Sequence, residues 1–143
     1  MIVNKHDRFR GTHGPLRLED GRFEWRVWAP GRQSANLILF ERGVVSEVVP
    51  MQRDEHDFFV SRPRPAPDGQ RYGFQVDDGP VRPDPATRWQ PDGVHQPSAI
   101  WHAERFTWTD TEWKGVPRTD LVIYELHVGA FTAGGTFDDN IPR

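Results

Sequence analysis

Residues 21–40 read GRFEWRVWAPGRQSANLILF. Two runs in this stretch alternate with a period of two, and Ala29-Pro30-Gly31 breaks them apart. In the first, Phe23, Trp25 and Val27 share one face while Glu24, Arg26 and Trp28 share the other. In the second, Ala35, Leu37 and Leu39 point inward, and Ile38 and Phe40 predict partial cover on the opposite face. A 3.6-residue helical period fits neither run, so both are read as β-strands with one apolar face.

Reading outward, the same rhythm continues. Glu41-Arg42-Gly43 is a turn, 44–51 (VVSEVVPM) a third strand, 52–57 (QRDEHD) a turn and 58–62 (FFVSR) a fourth strand. The loop 63–70 (PRPAPDGQ) carries strong turn chemistry. It leads into 71–79 (RYGFQVDDG), a fifth strand with Tyr72, Phe74 and Val76 on one face. Upstream, 16–20 (LRLED) reads as an edge strand. Short strands at roughly ten-residue spacing predict an all-β fold, an immunoglobulin-like β-sandwich of the E-set type, over residues 1–82. Thirteen Gly and thirteen Pro punctuate the chain, and no helix is expected before residue 136.

From residue 83 the periodicity stops. Residues 83–117 form an extended connecting segment rich in Pro and Trp, laid across a surface rather than acting as a flexible linker, because flexible linkers are Gly/Ser-rich. Residues 118–143 form a third part, which contains LVIYELHV (121–128), apolar at almost every position. Such a run predicts a strand buried on both faces, as in parallel sheets. Its unpaired backbone would be costly, so it is expected to pair with the sandwich edge or with another copy of the chain.

Composition excludes several classes. The 143-residue chain has a net charge of −3, which speaks against nucleic acid or an acidic membrane surface as partner. Without cysteine there are no disulfides or thiolate metal sites. No apolar run reaches the roughly 18 residues of a membrane span. The N-terminus lacks the apolar core of a signal peptide, so a cytoplasmic location is expected. No cofactor is expected: His6, His13, His56, His95 and His102 are scattered without ligand spacing, and GAFTAGGTF (129–137) lacks the spacing of a phosphate loop.

The order of motifs is distinctive. RVWAP (26–30) is followed by YGFQVDDG (72–79), PDPATRWQPDGVHQPSAIW (83–101), FTWTDTEWKG (106–115) and DLVIYELHVGAFTAGGTFDD (120–139). This order resembles the N-terminal part of the maltooligosyltrehalose trehalohydrolases, glycoside hydrolases of the α-amylase superfamily, over residues 21–143. DPATRWQPDGVHQPS (84–98) points to this family rather than to its branching and debranching relatives, which are the alternative. The resemblance implies that LVIYELHV is the first strand of a (β/α)8 barrel and that 118–143 is its truncated start. GTFDDNIPR (135–143) would then open the first barrel helix, in which Pro142 is tolerated only in the first turn.

The resemblance further implies an enzyme that cleaves the α-1,4 bond beside the trehalose end of maltooligosyltrehalose, releasing trehalose. The nucleophile, acid/base and stabilising carboxylates belong to later barrel strands, so the 143 residues carry no catalytic residue and are expected to be inactive alone. The implied partners are α-glucan or maltooligosyltrehalose, through the intact enzyme, and the chain's own barrel. Self-association through the barrel strand is the remaining expectation.

The candidate contact residues are Trp28, Trp89, Trp101, Glu125 and His127. Indole rings offer flat apolar faces on which sugar C–H faces pack. Trp28 lies on the face away from the core, although at a strand end it is also expected to pack under a loop. Trp89 and Trp101 lie in the connecting segment, where packing between sandwich and barrel competes with sugar contact. Glu125 and His127 lie two apart, on one side of a strand, and could pair a carboxylate with an imidazole. The adjacent carboxylates at Asp77-Asp78 and Asp138-Asp139 are explained by turn chemistry.

Overall fold

A computed structural model describes residues 13–102 and 106–141. His6 and Pro142, which figure in the expectations above, lie outside the described residues. Two compact units are present, residues 1–106 and 107–143.

The first unit is a sandwich of two antiparallel four-stranded sheets. One contains β1 (Gly14–Arg17), β2 (Phe23–Trp28), β6 (Phe58–Val60) and β5 (Gln52–Arg53), in the order β1-β2-β6-β5. The other contains β4 (Val44–Pro50), β3 (Ala35–Glu41), β7 (Arg71–Val76) and β8 (Ser98–Ala99), in the order β4-β3-β7-β8. The expected immunoglobulin-like architecture is therefore present.

The alternation read from the sequence decides which faces meet. Phe23, Trp25 and Val27 of β2 pack against Ala35, Leu37 and Leu39 of β3 and Tyr72 and Phe74 of β7 in one buried cluster. Trp25 is fully buried and meets Tyr72 edge-on with ring centroids 6.0 Å apart. Ile38, on the outer face, is also buried. Its cross-strand neighbour is Gly73, and a Cβ there would stand 2.8 Å from the Arg82 carbonyl oxygen and 2.9 Å from Val81 Cγ1. Glycine lets the chain at 81–82 cross close over β7 beside Ile38's cross-strand neighbour.

Two details depart from the sequence reading. Gln52 and Arg53, expected in a turn, form β5, so residues 44–53 run from one sheet into the other, with Met51 N–H donating to the Ala35 carbonyl (2.9 Å) at the crossing. The compact unit also extends beyond residue 82: β8 pairs with β7, and Ile100 belongs to the core cluster.

Turn chemistry is where the sequence placed it. Asp77 accepts hydrogen bonds from the backbone N–H of Gln33 (2.8 Å) and Ser34 (3.0 Å), joining the β7 turn to the start of β3. These bonds, first from Ser34 and then from Gln33, hold its carboxyl below the usual range. A carboxyl depressed on folding stabilises above its unfolded pKa, and the gain is lost as pH falls through the folded value. We expect Asp77→Asn to be less stable than the parent at neutral pH and the gap to close in acid. Urea midpoints at the two pH values check this; a constant gap would refute it.

The second unit, described by itself, holds a 3-10 turn (Arg118–Asp120) and two short helices, α1 (Val128–Phe131) and α2 (Phe137–Asn140). Helix α2 begins where a helix was expected, with Thr136 Oγ1 accepting from Asp139 N–H (3.2 Å). The expected strand at 121–128 and the expected lack of helix before 136 are both corrected. Residues 121–127 belong to no ladder among the described residues, and Val128 opens a turn in which the His127 carbonyl accepts from Ala130 and Phe131 N–H. A strand buried on both faces is made by its neighbours, and this unit supplies none. Val122 and Ile123 are accordingly 94% and 84% exposed. Among the described residues no helix is long and apolar enough to cross a membrane.

Candidate functional site

The segment from Pro83 to Trp101 folds back along the sandwich as a strap, and its anchor is Asp84. Pro83 and Pro85 flank a carboxylate that is only 2% exposed. The Tyr72 hydroxyl donates to Asp84 Oδ2 (2.7 Å), and Ala86 N–H donates to Oδ1 (2.8 Å). Asp84 N–H in turn donates to the Ser98 hydroxyl (3.0 Å). The positive φ of Gly14 (76°) brings β1 so close that a Cβ there would stand 2.9 Å from Asp84 Oδ2. Burial pushes the Asp84 carboxyl above its ordinary value, against the pull of Tyr72, Ala86 and the charge of His13. Burial beside that carboxylate holds the Tyr72 hydroxyl protonated far above its usual range, which keeps it a donor.

From this anchor the strap goes out and returns. Ala99 N–H donates to the Trp89 carbonyl (2.9 Å), and Ile100 N–H to the Gln70 carbonyl (3.0 Å). The closure sets the Trp89 and Trp101 rings edge-to-face, centroids 5.7 Å apart. Arg71 lies over Trp89 at 5.7 Å and is held by Asp92 (2.9 Å) and the Gly69 carbonyl (3.0 Å). Trp89 is thus half-buried between an arginine and a second indole, while Trp101 stays 46% exposed.

Two concave regions border the strap. A cleft of about 890 Å³ runs beside the β3–β4 hairpin, lined by Phe40, Arg42, Gln70, Arg71, Asp92 and His95 among others. A smaller cavity of about 230 Å³ lies between β1 and the returning strap, and Trp101 and Arg88 line it.

The structure brings Trp89 and Trp101 together, whereas Trp28 lies on the other sheet of the same unit. Trp28 ends β2 on the outer face of the sheet opposite the one that carries β7 and β8. It is 55% exposed, so the expectation that it packs under a loop is corrected: its cross-strand neighbour is Phe58, and Arg26 lies over that ring at 4.9 Å. Glu125 and His127 are exposed residues of the second unit. Placing them on one face requires a ladder, and residues 121–127 have none. Asp77-Asp78 sit in a turn, as read, whereas Asp138-Asp139, also read as turn residues, lie in the first turn of α2. Among the described residues no three His, Asp or Glu side chains are placed to hold a metal. Asp84 and Tyr72 were not singled out as a pair; the one available signal was a carboxylate enclosed by two prolines.

Comparison with known proteins gives a consistent picture. Residues 12–88 match the family model for carbohydrate-binding module 48, the isoamylase N-terminal domain. The chain is 39% identical over 132 residues to the malto-oligosyltrehalose trehalohydrolase of Saccharolobus solfataricus, covering 92% of this chain and 22% of that protein. It is 42% identical over 127 residues to the enzyme of that name from Mycobacterium tuberculosis, covering 84% and 20%. A solved Salmonella typhimurium protein described as an alpha amylase superposes with a TM-score of 0.80 at 33% identity, over 94% of this chain and 22% of that one. A pullulanase from Bacillus acidopullulyticus agrees in fold alone, with a TM-score of 0.57 at 20% identity over 65% of this chain and 12% of its own. The chain spans about a fifth of the length of the curated relatives it matches.

Proposed function

The chain belongs to the carbohydrate-binding module 48 family, and from that premise we propose that it is the N-terminal, non-catalytic module of a malto-oligosyltrehalose trehalohydrolase. The intact enzyme would hydrolyse the α-1,4-glucosidic bond next to the trehalose end of maltooligosyltrehalose and release trehalose, a step of trehalose biosynthesis. Within it this chain positions the catalytic barrel, and residues 118–143 are that barrel's beginning.

The observation that carries the reading is how far the similarity extends. Identity of 39% continues over 92% of the chain, well past the residues 12–88 that define the module. The exposed run Leu121–Leu126 supports it physically. Leu121, Val122, Ile123, Tyr124 and Leu126 are all exposed, and a run of that composition gains most when flanking strands cover both faces.

A retaining glycosidase needs two carboxyl groups about 5 Å apart flanking the scissile bond. Of the carboxylates described here, Asp77 ties a turn, Glu47 and Asp54 pair with Arg64 and Arg26, and Asp84 anchors the strap. We therefore expect the isolated chain to release no trehalose from maltooligosyltrehalose, measured by trehalose formation over hours at high protein concentration. Turnover above the uncatalysed background would overturn the assignment.

A further inference from the structure

We infer that the small cavity between β1 and the returning strap is a binding pocket for one hexose unit of an α-glucan, with Trp101 as its stacking wall and Arg88 as its hydrogen-bonding rim. This deepens, and rests on, the assignment of the chain to a carbohydrate-binding family.

The cavity has a volume of about 230 Å³, which admits a single sugar ring rather than an extended chain. Its floor is apolar, built from buried Phe23 and Ala99 and half-buried Pro15 and Ala86. Phe23 is 4% exposed and Ala99 only 2%, so this part of the floor is held by packing beneath it. Trp101 stands at the side with 46% of its surface open, and the edge-to-face contact with Trp89 fixes its plane. A preset indole face beside an apolar floor matches the C–H face of a pyranose, which costs little ordering on binding. Hydroxyl groups at the ring edge need donors, and Arg88 supplies them. It is exposed and enters none of the ion pairs found among the described residues. His13 lines the same cavity, its ring edge-on to Phe58 at 4.9 Å.

The other sites are less apt. The larger cleft of about 890 Å³ offers no tryptophan wall, and its best-placed donors are occupied. Arg71 is bonded to Asp92 and Gly69, and the Gln70 amide to the carbonyls of Phe40 and Arg71. Trp28 is exposed but lines neither of these two concave regions. Volume alone does not recognise a sugar; enclosure, a flat apolar face and a donor at its edge do.

The test is a titration of the ¹⁵N-labelled 143-residue chain with maltotriose, following the indole N–H signals of its tryptophans. We expect the Trp101 signal to shift saturably and the Trp28 signal to stay in place. Arg88→Ala, a substitution at an exposed side chain, should weaken binding about tenfold, the equivalent of one lost hydrogen bond. Trp101→Phe should weaken it less than Trp101→Ala, and Trp28→Ala should leave it unchanged. Saturable binding that leaves Trp101 unshifted, or is insensitive to Arg88→Ala, would place the sugar elsewhere and overturn the pocket while leaving the family function intact. No binding at any attainable maltotriose concentration would also overturn it, and would make the Trp101 wall a surface for packing against protein. Neither result bears on the turnover assay, which tests the trehalohydrolase assignment separately.

Discussion

Trp25→Ala should cost about 3–5 kcal/mol, the usual range for removing a buried aromatic side chain. Small domains have only about 5–15 kcal/mol in total, so the variant is expected to be largely unfolded well below the parent's melting temperature. The reason is position. Trp25 is the largest of the fully buried residues and touches the facing sheet through Tyr72, so its loss opens a void where the two sheets meet. Trp25→Phe tells volume from polarity. The indole Nε1 has no hydrogen-bond partner, so phenylalanine forfeits no bond and discards an unsatisfied donor. Its cost should stay near 1–2 kcal/mol. Chemical denaturation followed by far-ultraviolet circular dichroism measures both. Equal costs for Phe and Ala would show that the ring is not the central packing element.

Asp84 gives the second large effect. Asp84→Ala strips partners from the Tyr72 hydroxyl and the Ala86 N–H inside the fold, and a loss of about 3 kcal/mol follows. Asp84→Asn keeps an oxygen acceptor and should cost about 1 kcal/mol. The difference between parent and Asn variant carries a pH signature. Burial raises the folded carboxyl above its ordinary value, so the native state holds its proton more tightly than the unfolded state does. Parent stability from this group is then greatest in acid and declines as pH rises from about 4 through the folded pKa. The Asn deficit should be widest in acid and narrow toward neutrality, opposite in sense to Asp77→Asn. Tyr72, the Ala86 N–H and His13 oppose this rise, so His13→Ala, which removes a favourable charge, should steepen the decline.

The sandwich was legible because its strands are local statements. The period-two pattern in 23–27 and 35–39 names the inward faces without reference to anything distant, and the turns at 41–43 and 77–79 announce themselves by composition. The strap was not legible in the same way. Its fixing contacts join Asp84 to Tyr72 and to Ser98, and no periodicity links residues 12 or 14 positions apart in irregular chain. The pairing of Trp89 with Trp101 followed from that closure rather than from either residue's neighbours. Residues 121–128 show the limit from the other side. Their composition states a preference for burial on both faces, but a strand exists only when other strands bond to it, and that information lies in whatever stands beside it.

The passage of residues 44–53 from one sheet into the other has a consequence for how the unit comes apart. One uninterrupted length of backbone is stitched at its start to β3 and at its end to β6. The two layers are thereby tethered by the main chain itself, and drawing one sheet away from the other must strip either the long β3–β4 ladder or the two-residue β5–β6 ladder. The shorter ladder is the weaker seam, so separation is expected to begin at Gln52 and Arg53.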